Sequence, residues 1–193
     1  MSRICVFCGS SSGIDPVYSK TASAVGEFLA QNGIELVYGG GRVGLMGTVA
    51  DSVLANGGRV IGVIPEALDK KEIAHKGLTE LHIVSSMHQR KALMAEFADG
   101  FIAMPGGFGT FEEICEIVTW AQLGIHQKPC GLLNVNGFYD PLIELFNNST
   151  ASGFIRLAHR EIVLVSAEIE KLFELMKHYK PPAIEKWIDS EST

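Results

Sequence analysis

Apolar, β-branched runs alternate with amphipathic stretches along the whole chain of 193 residues. This alternation is typical of βαβ units, in which helices cover both faces of a parallel sheet. The pattern predicts strands at Ile4–Cys8, Ile34–Tyr38, Val60–Ile64, Leu81–Val84, Phe101–Met104, Gly131–Val135 and Ile162–Val165. It predicts helices at Val17–Gln31, Leu45–Asn56, Met87–Ala98, Phe111–Leu123, Pro141–Asn148 and Ala167–Tyr179. We therefore expect an α/β fold, Rossmann-like and doubly wound, with a mostly parallel sheet.

Composition and charge narrow the class of protein. No linker, repeat or charge block interrupts the pattern, so residues 1–180 are predicted to form a single domain and residues 181–193 a polar C-terminal tail. The net charge of −6 argues against nucleic acid or a membrane surface as a partner. No apolar run approaches the roughly 20 residues of a membrane span, and no signal peptide is apparent, which predicts a cytoplasmic protein. The four cysteines fit that compartment as reduced, buried thiols, with no zinc site.

Glycine and serine are concentrated in three turns that follow predicted strands, at Cys8–Gly13, Gly39–Gly44 and Pro105–Thr110. Ligands of open parallel sheets bind at the carboxyl ends of the strands, so we expect all three turns to lie along one edge. The second turn matches G-x-G-x-x-G, but it follows the second strand. This position favours a tight turn or one wall of a mononucleotide pocket over a dinucleotide site. A Walker A sequence does not occur.

The third turn continues into two adjacent carboxylates, Glu112 and Glu113. Its glycines leave amide N–H groups uncovered at the start of a helix, and Thr110 adds a hydroxyl, so the segment can cradle a phosphate. The alternative is a capping box, in which Thr110 and Glu113 only satisfy the first amides of the helix. Capping does not explain three glycines in front of two carboxylates, because each glycine costs backbone entropy on folding.

A second helix start supplies positive charge. Ser86-x-x-Gln89 is also a capping-box pattern, and it places Arg90 and Lys91 near a helix N-terminus, where cations oppose the helix dipole. If the strands that precede the two helices are neighbours, both cations face a pocket that holds the two carboxylates and a phosphate. The alternative is a solvated basic patch.

A carboxylate and an arginine beside a phosphate site suit the cleavage of an N-glycosidic bond in a nucleoside monophosphate. The carboxylate can stabilise the oxocarbenium-like transition state and orient or deprotonate the attacking water. The arginine can hold the phosphate or assist the leaving base, and the spacing leaves both roles open. The six histidines show no metal-ligand spacing, and we expect neither a metal nor a cofactor.

The segments Pro105–Glu113, Met87–Lys91 and Thr119–His126 together resemble the LOG (Lonely Guy) family of cytokinin riboside 5′-monophosphate phosphoribohydrolases. The similarity also includes Cys8–Ser11 and Tyr38–Gly41. It implies an enzyme, a nucleotide N-glycosyl hydrolase that converts N6-substituted adenosine 5′-monophosphates to free base and ribose 5-phosphate.

The resemblance also assigns roles to individual residues. It implies that Arg90 and Glu113 are the catalytic pair. The residues that it implies for substrate binding are Glu72, Lys91, Gly107, Phe108, Gly109, Thr110, Phe111, Glu112 and Thr119. It further implies a homodimer with pockets near the interface, to which helix Phe111–Leu123 contributes unless that helix only packs in the core. A general AMP nucleosidase and a non-catalytic nucleotide-binding carrier module are the alternative functions.

Overall fold

The computed structural model describes residues 1–69 and 74–182. Its strands are β1 (Arg3–Phe7), β2 (Glu35–Tyr38), β3 (Val60–Pro65), β4 (Glu80–Val84), β5 (Gly100–Ala103), β6 (Cys130–Leu133) and β7 (Val163–Ser166). Its helices are α1 (Pro16–Gln31), α2 (Gly44–Ala55), α3 (Glu66–Asp69), α4 (Met87–Phe97), α5 (Phe108–Gln122), α6 (Asp140–Ala151), α7 (Leu157–Arg160) and α8 (Ile169–Lys177). A 3₁₀ turn spans Val135–Gly137.

The seven strands form one parallel sheet in the order β4-β3-β2-β1-β5-β6-β7. The predicted α/β class is thus confirmed, and every predicted strand and helix is present with its ends shifted by at most three residues. The sequence pattern missed α3, α7 and the 3₁₀ turn, because elements of three or four residues are too short to show a period.

The chain reverses its direction across the sheet at β1. It adds β2, β3 and β4 on one side of β1, and then returns to place β5 on the other side. The turns that follow β1 and β5 therefore flank the point where strand order reverses, which is where doubly wound sheets form a crevice.

Alternate residues of β1 enter two separate cores. Ile4, Val6 and Cys8 pack with α1, α2 and α8, whereas Cys5 and Phe7 pack with α4 and α5 on the other face. The cysteines of the C-x-x-C sequence thus belong to opposite faces, as predicted, and all four cysteines of the chain are free thiols.

Within the described ranges, no helix has the length and apolar composition needed to cross a membrane. The same residues contain no group of three or more His, Cys, Asp or Glu side chains placed to hold a metal ion. The single domain at residues 1–180 stays a prediction, and the predicted tail lies outside the described residues from position 183 onward.

Candidate active site

The three glycine-rich turns meet at the carboxyl edge of the sheet, as predicted, and line a cavity of about 380 Å³. The amide of Gly9 donates to the Pro105 carbonyl at 3.0 Å, and the Met46 amide donates to the Gly9 carbonyl at 3.3 Å. The turn after β1 is therefore tied both to the turn after β5 and to the start of α2. The residues that line the cavity are Cys8, Gly9, Ser10, Gly39, Gly41, Val43, Met46, Ile64, Leu68, Arg90, Gly107, Phe108, Gly109, Thr110 and Glu113.

Close approach between two of the turns depends on Gly44, the first residue of α2. Its φ of 61° lies in the left-handed region, and a Cβ there would be 2.3 Å from the Ser10 carbonyl carbon. Glycine removes both obstacles. The G-x-G-x-x-G sequence is thus a tight turn, and its Gly39 and Gly41 also form a cavity wall; that this cavity binds a mononucleotide stays a prediction.

A buried ion pair, Arg90 with Glu113, forms part of the cavity wall. Arg90 Nη1 donates to Glu113 Oε1 at 3.1 Å, and the two side chains are only 10% and 9% exposed. Arg90 Nε donates to the Val63 carbonyl at 3.2 Å, which fixes the guanidinium against β3. The second carboxylate oxygen, Glu113 Oε2, has no hydrogen-bond partner among the described residues. The pair thus presents a carboxylate whose second oxygen is available to a ligand.

Burial determines the protonation behaviour of this carboxylate. Desolvation raises the pKa of Glu113, the Arg90 guanidinium counteracts that effect, and the neighbouring Glu112 adds a smaller increase. Glu113 is therefore a stronger base than an exposed glutamate, while the arginine favours its ionised form.

The N-terminus of α5 is open toward the cavity. The helix begins at Phe108 with Gly107 as its N-cap, and no side chain caps it. A Cβ at Gly107 or Gly109 would meet no other atom within 4 Å, so open space lies beside both glycines. The amides of Phe108, Gly109 and Thr110 precede the first helical hydrogen bond, from Phe111 to Gly107. These donors and the helix dipole suit a phosphate.

The position of Thr110 within α5 excludes the capping box that was the alternative explanation of this segment. The helix starts two residues before Thr110, so this residue belongs to the first turn, with 3% of its surface exposed, and cannot be the N-cap. The Thr110–Glu113 capping box is thus wrong. The second predicted box is half correct, because Ser86 Oγ accepts from the Gln89 amide at 3.2 Å whereas Gln89 Oε1 accepts from the amide of Ser85, one residue earlier.

Lys91 and Glu112 lie apart from the cavity. Lys91 Nζ binds Glu112 in a short contact and Glu116 at 3.1 Å, between α4 and α5. Successive helical residues point about 100° apart, so Arg90 and Lys91 face different surroundings. Of these four charged residues, Arg90 and Glu113 therefore line the cavity, whereas Lys91 and Glu112 do not. The basic-patch alternative is wrong, since both cations are paired with carboxylates and largely buried.

The remaining predicted binding residues occupy different positions. Phe108 lies at the cavity wall with 92% of its surface exposed. Phe111 packs against Phe138 and Tyr139, at ring-centroid distances of 6.2 and 6.4 Å. Thr119 is exposed on α5 and donates to the Cys115 carbonyl at 2.7 Å. Neither Phe111 nor Thr119 lines the cavity.

The predicted binding residue Glu72 lies outside the described residues.

Sequence reasoning missed an apolar wall, made of Val43, Met46, Ile64 and Leu68. These residues come from α2, β3, α3 and the turn after β2, and no single sequence pattern joins them. A second cavity of about 320 Å³ shares Gly9, Ser10 and Gly107 with the first. The glycine-rich turns therefore separate two adjoining compartments.

Comparisons with known proteins find related sequences and a related fold. The family described as "Possible lysine decarboxylase" matches residues 46–176. A cytokinin riboside 5′-monophosphate phosphoribohydrolase of Rhodococcoides fascians is 52% identical over 168 residues, which cover 86% of this chain and 85% of the relative. One of Arabidopsis thaliana is 48% identical over 179 residues, which cover 93% and 84%.

A solved structure, the molybdenum cofactor binding protein from Rippkaea orientalis, has a TM-score of 0.68 and 22% identity over 91% of this chain and 94% of that protein. At this identity, the likeness shows a shared fold alone.

Proposed function

Because the chain belongs to the LOG family of cytokinin riboside 5′-monophosphate phosphoribohydrolases, we propose that it hydrolyses N6-substituted adenosine 5′-monophosphates to free base and ribose 5-phosphate. The observation that carries the proposal is the buried Arg90–Glu113 pair, which shares one cavity with the uncapped N-terminus of α5. A carboxylate beside a phosphate cradle suits this reaction, because the anion can stabilise the positive charge that develops on the anchored ribose.

The phosphate binds at the start of α5. The amides of Phe108, Gly109 and Thr110 and the Thr110 hydroxyl supply the donors, and the helix dipole favours the negative charge. Anchoring the phosphate fixes the ribose beside Glu113, which lies one turn further along the same helix. Binding energy from a part of the substrate that does not react thus positions the glycosidic bond.

Glu113 acts on the ribose. As the C1′–N bond breaks, its electron pair leaves with the base and positive charge develops on the sugar, where the carboxylate stabilises it. Oε2, which has no partner among the described residues, orients the attacking water and accepts its proton as oxygen bonds to C1′. Glu113 then gives up this proton and the departing base takes one up, so C1′ gains the hydroxyl of the water, the base gains a proton, and the carboxylate is restored.

Arg90 holds this carboxylate in place. Two of its donor nitrogens, Nη1 and Nε, are used on Glu113 and the Val63 carbonyl. Its main role is therefore to keep Glu113 ionised and oriented, and its remaining N–H groups can reach the substrate.

The apolar wall accommodates the base. Val43, Met46, Ile64 and Leu68 offer dispersion contacts to a purine and to an apolar group on its N6 atom. Lysine decarboxylation, which the family description suggests, has no support here. A pyridoxal-phosphate enzyme needs a lysine that can form a Schiff base, and none of the described residues that line the cavity is a lysine.

The test is chromatographic detection of free base and ribose 5-phosphate after incubation with isopentenyladenosine 5′-monophosphate, AMP and isopentenyladenosine. We expect release from the prenylated monophosphate to exceed release from AMP, and none from the riboside, because it lacks the phosphate. Equal or faster cleavage of AMP would indicate a general AMP nucleosidase. Stoichiometric binding without release would indicate a non-catalytic carrier module; the molybdenum cofactor binding protein of Rippkaea orientalis has a similar fold.

We also propose that the protein is a cytoplasmic homodimer. Cys5, Cys8 and Cys130 are buried, unpaired thiols, which suits a reducing compartment. Phe108 is a large, exposed aromatic side chain at the cavity wall, where contact with a second copy would remove it from water. Light scattering coupled to gel filtration tests the dimer, and cell fractionation tests the compartment.

A further inference from the structure

Gly39, directly after β2, lies against the guanidinium of Arg90. A Cβ at this position would be 1.7 Å from Nη2 and 2.9 Å from Cζ, whereas non-bonded carbon atoms in contact are about 3.5 Å or more apart. Gly39 is not among the glycines with positive φ, so its backbone conformation is open to other residues. A Cβ would also lie 2.7 Å from Met46 Cε, but this is the end of a flexible side chain, whereas the guanidinium is anchored. The position of Arg90, and not the shape of the turn, is therefore the main reason for glycine here.

Three elements hold the guanidinium in this position. The Val63 carbonyl of β3 accepts from Nε at 3.2 Å, Glu113 of α5 accepts from Nη1 at 3.1 Å, and Gly39 leaves the space beside Nη2. The Arg90 side chain is 10% exposed, so it has little freedom to move without losing one of these contacts.

We propose that Gly39 is a positioning residue for the hydrolysis: its missing side chain makes the space in which Arg90 reaches Glu113. This inference rests on the proposed function. A methyl group at position 39 would push the guanidinium from β2, and the contact to Val63 or to Glu113 would lengthen or break. Gly39 also borders the cavity but touches no reacting atom, and its effect on Glu113 is exerted through Arg90.

Displacement of Arg90 changes the electrostatics of Glu113. Lys91 from α4 also favours the ionised carboxylate, whereas Glu112 and Glu116 from α5 oppose it. The thiols of Cys5 in β1 and of Cys8, directly after β1, have pKa values raised by burial and stay neutral. Arg90 is the largest influence that counteracts desolvation, so moving it raises the pKa of Glu113 further.

The experiment compares Gly39→Ala with Gly41→Ala across a pH series. A Cβ at Gly41 would lie 3.1 Å from Met46 Cε and 3.6 Å from Met46 Sδ, with no atom of Arg90 within 4 Å. We expect Gly39→Ala to lower kcat/KM by about 100-fold, mainly through kcat, because a displacement near 1 Å has that effect. The acid limb of its pH profile, where kcat/KM falls as pH decreases, should move to higher pH. Gly41→Ala should keep the acid limb of the wild type, whatever it does to KM.

A double-mutant cycle with Arg90→Ala separates positioning from a general structural role. In the Arg90→Ala background a Cβ at position 39 no longer meets the guanidinium but still lies 2.7 Å from Met46 Cε, the end of a flexible side chain that can shift. Gly39→Ala should therefore change the urea midpoint little and any residual kcat/KM by no more than about twofold. In the wild-type background Gly39→Ala should lower both the urea midpoint and kcat/KM. Additive effects, or a Gly39→Ala enzyme with the wild-type acid limb and turnover, would overturn the inference.

The unfolding cycle does not depend on activity. If the wild type releases no base, the proposed function fails, and urea unfolding of the four proteins still shows whether Gly39 and Arg90 are coupled.

Discussion

Glu113→Gln is the most direct test of the proposed chemistry. Glutamine has nearly the same shape, and its amide oxygen can still accept from Arg90 Nη1, which lies 3.1 Å from Oε1 in the native protein. The substitution therefore removes the negative charge while retaining the hydrogen bond. Because both side chains are nine-tenths buried, the Arg90 guanidinium then has no countercharge at that distance.

The geometry sets the scale of the effect. At 3.1 Å and an effective dielectric constant of about 20, the attraction between the two charges is about 5 kcal/mol. Relief of the carboxylate's desolvation offsets part of this loss, so the free energy of unfolding should fall by less than that amount. Turnover should fall by about 10²- to 10⁴-fold, because the sugar cation loses its stabilising anion and the water loses its base.

The assay is chromatographic measurement of released base under saturating substrate, with substrate affinity measured by calorimetry. We expect the dissociation constant to change little, since the phosphate cradle at Gly107–Thr110 is untouched. Glu112→Gln is the matched comparison, because this carboxylate binds Lys91 away from the cavity and should give a smaller loss. Turnover of Glu113→Gln within about tenfold of the wild type would refute a catalytic role and leave Glu113 as the structural partner of Arg90.

Three further predictions concern the same pair. Arg90→Ala should lower the free energy of unfolding in urea by up to about 3–5 kcal/mol and also reduce kcat/KM, because it leaves a buried carboxylate unpaired. Unchanged stability and unchanged kinetics would show that Arg90 is not part of the site. In the wild type, kcat/KM should fall as pH decreases through the raised pKa of Glu113, since the reaction needs the ionised form. A fall in kcat/KM only at the pH of an ordinary glutamate pKa would contradict this. Treatment with EDTA should leave kcat unchanged, because the proposed steps use only Glu113, Arg90 and the helix N-terminus. A loss of activity that added metal restores would contradict that mechanism.

The fold could be predicted from the sequence because its signals are local. Buried strands such as Val60–Pro65 are continuous apolar runs, and the glycine-rich turns mark the strand ends at which a parallel sheet binds ligands. The start of α5 was misplaced because Thr110-x-x-Glu113 has the spacing of a capping box. In the structure, the Gly107 backbone begins the helix and leaves its amides uncapped.

The apolar wall could not be predicted, because it depends on tertiary contacts. Met46 and Leu68 come from separate helices, and α3, which contains Leu68, has only four residues and no measurable period. Their position beside one cavity with Ile64 follows from how these helices lie on the sheet, and hydrophobicity at single positions does not specify that.

The proximity of Arg90 and Glu113 was predicted correctly, but the condition placed on it was wrong. Arg90 follows β4 and Glu113 follows β5, and the expectation required these strands to be neighbours. The sheet order separates them by β3, β2 and β1. The contact forms because α4 carries the chain back across one face of the sheet and packs against all four strands from β4 to β1.

This crossover also explains the contacts of Arg90. A side chain at the start of α4 lies beside the strands that the helix crosses. Arg90 therefore contacts the Val63 carbonyl of β3 and the Cα of Gly39 after β2, and its guanidinium then reaches Glu113 of α5. A bulky residue at any strand end on that path would block the arginine. The glycine at position 39 and the arginine at position 90 are therefore a single requirement of the crossover, although 50 positions separate them in sequence.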